Sequence, residues 1–260
     1  MTIFRTLFGA GHRLSHPAIA VPSSIDAPAG APAIRLRPLV EADADEWSDV
    51  RRRNDAWLSP WESSDPQHGA LLSFNEWIGR QREDERIGTS VVFAIEFAGR
   101  IVGQISLGAI SYGSMRTGIV GYWIDREFAG RGFTPLAVAM LCDWAMFMPG
   151  GPGLHRIEID IVPTNDRSRR VVEKVGAVYE GIRRRYMYIN GEWKDHESYS
   201  LLAEDAGADG FVGRYLRNAA NDSATMDISG VRTGTARAAN GVIAEQTDRD
   251  TPNVTLPTLA

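Results

Sequence analysis

The segment between 117 and 162 most restricts what this chain can fold into. TGIVGYWID (117–125) reads as a strand, TPLAVAMLCDWAMF (134–147) as an apolar helix, and HRIEIDIV (155–162) as an alternating strand. A strand, a helix and a strand in that order need a crossover, and a crossover joins parallel strands. The segments around it read differently. AIRLRPL (33–39) alternates like a strand that Pro38 closes, and residues 41–53 and 73–86 have helical character. TSVVFAIEF (89–97) and RIVGQISLGAI (100–110) form a hairpin, and so do residues 180–189 and 192–202 around the turn Asn190-Gly191. Residues 165–177 form a helix that ends at Gly176. The order β-α-α-β-β-β-α-β-α-β-β predicts an α/β (α+β) domain. Its mixed, mostly antiparallel central sheet has a central parallel pair and helices on both faces.

The domain is expected to span 34–204. Residues 1–33 end in VPSSIDAPAGAPA, which reads as a flexible extension and linker. Residues 205–260 read as a mostly disordered tail with room for a short helix at 211–216. Ile3, Phe4, Leu7 and Phe8 could make a weak surface contact, but a frayed terminus is the simpler reading. With 28 basic and 33 acidic residues the chain carries −5, which argues against general nucleic-acid binding. No apolar run is long enough to span a membrane. The lone cysteine, Cys142, precludes an intrachain disulfide and suits a cytoplasmic location. No histidine pair has metal-ligand spacing, and His155 and His196 are isolated in sequence.

The stretch GYWIDREFAGRGFTPLAVAML (121–141) carries the chemistry. A strand ends near Asp125, a turn holds Gly130-Arg131-Gly132, and Pro135 lies just inside the next helix, where its missing N–H costs nothing. Free amides at a helix start bind anions, and glycines let a ligand approach the backbone. Arg126 and Arg131 add positive charge. These features fit a pyrophosphate site, although an ordinary glycine-rich turn would look similar.

Taken with the order of elements, these residues resemble the GCN5-related N-acetyltransferase superfamily. Its acetyl-CoA signature, Gln/Arg-x-x-Gly-x-Gly/Ala, aligns with Ala129-Gly130-Arg131-Gly132-Phe133-Thr134. Asn165-Asp166-Arg167-Ser168 followed by Val171, Lys174, Val175, Gly176 and Ala177 resembles the Rim-type ribosomal-protein alanine N-acetyltransferase branch. So do Leu58-Ser59-Pro60-Trp61-Glu62 and the hairpin with Trp193, Asp195 and Tyr199.

The resemblance implies direct transfer of acetyl from acetyl-CoA to a primary amine in a ternary complex, without a metal. The expected acceptor is a protein N-terminal α-amine. It implies a bulge in the strand at 122–125, with the Ile124 amide on the thioester oxygen; one such donor contributes roughly 10²–10³ in rate. Arg126, Gly130, Arg131, Gly132, Phe133 and Thr134 would cradle the pyrophosphate. Asn165 would reach pantetheine, or simply cap its helix, and Arg170 and Lys174 would reach the nucleotide phosphates. Ser168 would give a proton to the departing thiolate. Where some relatives place a catalytic carboxylate this chain has Met187, so Glu158, Asp160 and Tyr122 stand as candidate bases. Trp57, Trp61 and Glu62 would grip the acceptor, although packing explains the tryptophans as well. Arg183, Arg184 and Arg185 alternate faces and read as surface charge. A small amine such as a polyamine or antibiotic is a rival acceptor. A non-catalytic acyl-CoA sensor is a second alternative, motivated by Ala129, Thr134 and Met187. The chain is expected to be a monomer or a homodimer.

Overall fold

The computed structural model describes residues 18–67 and 72–232, with side chains described to Asn221. Eight strands form one sheet: β1 (Ile25–Asp26), β2 (Ile34–Pro38), β3 (Val91–Phe97), β4 (Arg100–Ser111), β5 (Thr117–Ile124), β6 (Arg156–Ile161), β7 (Val178–Ile189) and β8 (Glu192–Leu202). Their order across the sheet is β1-β2-β3-β4-β5-β6-β8-β7. Six helices accompany them: α1 (Ala44–Arg53), α2 (Asp55–Leu58), α3 (Phe74–Ile87), α4 (Phe133–Phe147), α5 (Asp166–Val175) and α6 (Gly210–Arg232).

The crossover through α4 makes β5 and β6 the parallel pair that the sequence demands. The pairing is short. It joins Thr117 to Arg156, Gly118 to Ile157 and Ile119 to Glu158, and then stops. β5 continues along β4 as far as Ile124, and β6 continues along β8 as far as Ile161. A gap therefore opens between two strands that each remain held on their far side.

The bulge expected at 122–125 is absent. The β4–β5 register runs without interruption from Gly103↔Ile124 to Gly108↔Ile119. The irregularity lies beyond it, where Ala109 and Ile110 oppose Gly118 alone and Ala109 takes φ 49°.

The main core lies under α4. Leu136, Ala137, Val138, Ala139, Leu141 and Cys142 are fully enclosed against Ile157, Ile159 and Ile161. Such enclosure explains why α4 is apolar on every side. A second cluster, built on Leu39, Ile78, Val92, Ala94 and Ile101, receives Trp47, Phe74 and Trp77 from α1 and α3.

Both ends of the expected domain prove too short. In the described part of the presumed linker, Ile19 and Ile25 are buried in the main core and β1 pairs with β2. At the other end, α6 is much longer than the short helix expected at 211–216, and Phe211 and Tyr215 enter the core. Asp143 inside α4 accepts the Phe211 and Val212 amides at 2.7 and 3.1 Å, so it caps the start of α6. The compact unit runs to Asn221, and residues from Asp222 group apart from it. The amphipathic reading of Ile3, Phe4, Leu7 and Phe8, and the tail beyond 232, lie outside the described residues.

Phe211→Ala should cost about 3–5 kcal/mol, the usual price of emptying a buried Phe site. Chemical denaturation of the full chain measures it, and a change under 1 kcal/mol would mean that α6 is not part of the core.

Candidate active site in the gap between two strands

The gap opens into a groove of about 890 Å³ lined from both sides of the sheet. Its geometry follows from the β5 ladder. The Asp125 amide donates to the Val102 carbonyl at 2.8 Å. Antiparallel pairs alternate, so the backbone groups of Tyr122 and Ile124 point away from β4 and into the gap. The Ile124 carbonyl is taken by the Trp57 indole N–H at 3.1 Å. The Ile124 amide is left facing the groove without help from a bulge.

At one end of the groove β5 runs into the glycine turn. Gly130 and Gly132 have φ of 81° and 79°, where a side chain is strained. A Cβ on Gly132 would also lie 2.8 Å from the Tyr215 hydroxyl, which donates to the Gly132 carbonyl at 3.3 Å. Gly132 is the N-cap of α4, so the Phe133 and Thr134 amides have no acceptor within the helix. The Phe133 ring packs on Phe97 and Phe128 with centroids 4.8 and 6.2 Å apart, fixing the helix start. The result is an anion cradle of backbone donors. Of the charged candidates, Arg170 and Lys174 line the groove. Arg126 lies over the Trp57 ring at 5.8 Å and Arg131 over Phe128 at 5.0 Å, each engaged with an aromatic face.

Sequence reasoning missed the hub beneath the turn. Asp125 is 2% exposed and accepts from both Arg53 and the Asn54 side chain, the latter at 2.9 Å. Asn54 in turn accepts the Arg126 amide at 3.0 Å. This network fastens the end of β5 to the junction of α1 and α2. Burial opposes the Asp125 charge, but Arg53 and Asn54 outweigh it and hold the carboxyl below its ordinary value. The hydrophilic pair Arg53-Asn54 at the end of an amphipathic helix was the available signal.

Ser168 and Tyr122 meet across the gap, with hydroxyls 2.8 Å apart. Burial pushes the Tyr122 phenol well up, so it stays protonated at neutral pH. Tyr122, a candidate base by sequence, is thus placed to hold or give a proton together with Ser168. Asn165 caps α5 by accepting the Ser168 amide at 3.2 Å and also lines the groove.

The groove lining also includes Trp57, Trp61, Glu62, Asp160, Met187 and His196. The two tryptophans are half-buried groove walls and not core. Arg167 stacks on Trp57 at 3.7 Å, joining α5 to α2 across the lip of the gap. Glu62 is paired with Arg51.

The two strand carboxylates separate. Glu158 is outside the groove lining, paired with Arg156 and Arg183, and these hold it below its ordinary range against the cost of burial. Its ionisation is committed to that network. Asp160 lines the groove with its side chain wholly enclosed. Burial pushes its carboxyl up, against the pull of Ser198, Arg183 and His196. Arg183 is therefore not plain surface charge, because it spans Glu158 and Asp160. Among the described residues no His, Cys, Asp and Glu cluster could hold a metal.

A sheet parted beside a helix-start anion cradle, with a long groove through the parting, defines an acyl-CoA-dependent transferase fold. The comparisons make the class specific: residues 33–178 match the Acetyltransferase (GNAT) domain, and the chain belongs to that family. It is 32% identical over 177 residues to "Probable N-acetyltransferase YjcK" of Bacillus subtilis, covering 66% of this chain and 95% of that protein. It is 27% identical to the [Ribosomal protein uS5]-alanine N-acetyltransferase of Escherichia coli, covering 63% of this chain and 85% of the relative. The solved structure of Mycobacterium smegmatis RimJ in complex with CoA-disulfide superposes with a TM-score of 0.66 at 31% identity, over 75% of this chain and 92% of that one. The chain is an acetyl-CoA-dependent N-acetyltransferase.

Two outcomes follow. Gly132→Ala should weaken acetyl-CoA binding about tenfold or more, since the αL position costs roughly 1–2 kcal/mol and the turn must shift. Unchanged affinity by calorimetry would remove the turn from the site. Because the Asp125 pKa is lowered on folding, its network stabilises the protein above the ordinary carboxylate pKa and loses that contribution as pH falls through the folded value. Asp125→Asn should therefore lower Tm at pH 7 and narrow its difference from wild type below about pH 4. A difference that is constant with pH contradicts this.

Proposed function

We propose that this enzyme acetylates protein N-terminal α-amines, of the kind carried by ribosomal proteins. The observation that carries the reading is the groove lining. Trp61 and Glu62 from a loop and Met187 from a hairpin line the same groove as the glycine turn. The segment Ser63–Ser64 is stitched to the same hairpin, with Ser64 donating to the Tyr188 carbonyl at 3.1 Å and Ser63 bridging Ile189. This leaves an open slot that suits an extended chain end entering by its amine. The kinship with the uS5-alanine enzyme supports the same acceptor class.

Acetyl-CoA supplies a thioester whose carbonyl carbon accepts the amine. The roles of this chain's residues follow from their positions. The amides of Gly132, Phe133 and Thr134 bind the pyrophosphate, with Gly130 giving the turn its shape and Arg170 and Lys174 adding charge. The Arg126 amide is already taken by Asn54, so Arg126 and Arg131 act by bracing the turn with side chains laid over Trp57 and Phe128. The Ile124 amide donates to the thioester oxygen as negative charge builds on it. The Tyr122 and Ser168 hydroxyls, hydrogen-bonded to one another, deliver a proton to sulfur. Asn165 fixes the start of α5 so that Ser168 stays in place. A chain acting on ribosomal proteins works in the cytoplasm.

A thiol-release assay with acetyl-CoA tests the acceptor. Peptides starting with Ala or Ser should turn over with kcat/KM at least tenfold above polyamines and aminoglycosides. The reverse order would point to a small-molecule acceptor, and binding of acetyl-CoA with no turnover of any amine would favour a sensor. With an active peptide, the Tyr122→Phe and Ser168→Ala pair should lower kcat by about 10²-fold, in the range for general acid catalysis, and leave acetyl-CoA affinity nearly unchanged. A wild-type kcat in the double variant would remove both from catalysis.

A further inference from the structure

The roles above leave one step without an owner. An α-ammonium with a pKa near 7.7–8.0 must lose a proton before its nitrogen can attack. Tyr122 is held protonated, Glu158 is committed to two guanidinium groups, and Met187 cannot take a proton.

We propose that His196 on β8 is the general base for the acceptor amine, with Asp160 on β6 as the buried carboxylate that stabilises the imidazolium it becomes. The proposal rests on the groove being a site of acetyl transfer to amines, and goes beyond it by assigning the base.

His196 is isolated in sequence and gives no motif, but the fold buries it to 2% exposure in the wall of the groove, beside Met187 and Asp160. Its Nδ1 lies 3.1 Å from the Lys194 carbonyl oxygen. A carbonyl can only accept, so Nδ1 carries the ring proton and Nε2 keeps its lone pair for the groove. The ring stands edge-on to Tyr186 with centroids 5.8 Å apart, which limits its rotation.

Asp160 pairs with Ser198 across β6 and β8, two residues from His196 and therefore on the same face of the sheet. Its side chain is wholly enclosed, and Oδ1 and the neighbouring Ser198 hydroxyl each lack a hydrogen-bond partner. A buried carboxylate oxygen left unpaired in a groove wall is costly unless a cation completes it. Asp160 feels His196 together with Glu158 of β6 and Arg183 of β7, Tyr186 of β7 stands against the ring, and the Lys194 ammonium on the same strand pairs with Glu192. Arg183 is already shared between the two carboxylates, so Asp160 keeps an oxygen for the incoming positive charge.

The step balances as follows. The acceptor ammonium gives one proton to Nε2, and the freed nitrogen lone pair forms the C–N bond to the acetyl carbonyl carbon. The C–S bond breaks and its electron pair leaves on sulfur. Tyr122 and Ser168 deliver a proton to sulfur, and the second proton that the nitrogen loses as the amide forms replaces it on that pair. His196 passes its proton to water, so each transfer releases one net proton.

The test uses the full chain, acetyl-CoA and the best amine peptide. His196→Gln should lower kcat at least 10²-fold, remove the lower-pH limb of the kcat/KM profile and leave only the amine's own ionisation, with acetyl-CoA affinity within twofold of wild type. Added imidazole should restore part of the rate to His196→Ala. Asp160→Asn, which withdraws the charge that favours imidazolium, should shift that limb to lower pH. A His196→Gln enzyme within threefold of wild type with the limb intact overturns the assignment. So does a loss of rate that tracks a loss of acetyl-CoA binding and is not rescued by imidazole, since that marks a structural histidine. A wild-type chain that binds acetyl-CoA but acetylates no amine overturns the transfer reading itself, and with it any need for a base.

Discussion

The chemistry of this protein depends on the parting of β5 from β6 after three paired residues. A sheet pays for unpaired backbone groups, so two neighbouring strands do not separate unless each is secured elsewhere and the exposed groups find other partners. Here β4 secures β5 and β8 secures β6. Trp57 takes the Ile124 carbonyl, and Asp125, Arg53 and Asn54 fix the point where β5 leaves the sheet. Among the groups left facing the gap is the Ile124 amide, the donor proposed for the thioester oxygen.

The crossover that forces this arrangement was plain in the sequence, because the apolar helix at 134–147 separates two alternating strands. The glycine turn was legible for a similar reason: Gly130 and Gly132 both occupy backbone conformations that other residues resist. The bulge was misplaced. Family resemblance put it at 122–125 of β5, whereas the irregularity lies in β4, where Ala109 and Ile110 oppose Gly118, a position at which a Cβ would lie 2.7 Å from the Leu107 side chain. The ladder's alternation turns the Ile124 amide to the gap anyway, so the role proposed for it needs no bulge.

The acceptor half was much less legible, because its parts are distant in sequence and unremarkable in type. His196 and Asp160 come together only through the β6–β8 pairing, and nothing in either local stretch announces it. Arg183 looked like one of three surface arginines until β7 placed it against Glu158 and Asp160. The ends were misread because composition hides a few well-placed apolar residues. Ile19 and Ile25 sit in a Pro/Ala-rich stretch and Phe211 and Tyr215 in a Gly/Ala/Asp-rich one, yet all four are core. Tyr215 also braces the Gly132 carbonyl, so α6 takes part in shaping the anion cradle.

The central claim, that acetyl-CoA lies in the gap and is held by β5 and the start of α4, is tested most directly by amide hydrogen exchange with and without acetyl-CoA. The account predicts protection concentrated at Ile124 and at Gly132, Phe133 and Thr134, with the amides of β3 and α3 unchanged. Exchange at those four positions that is indifferent to saturating acetyl-CoA would contradict it.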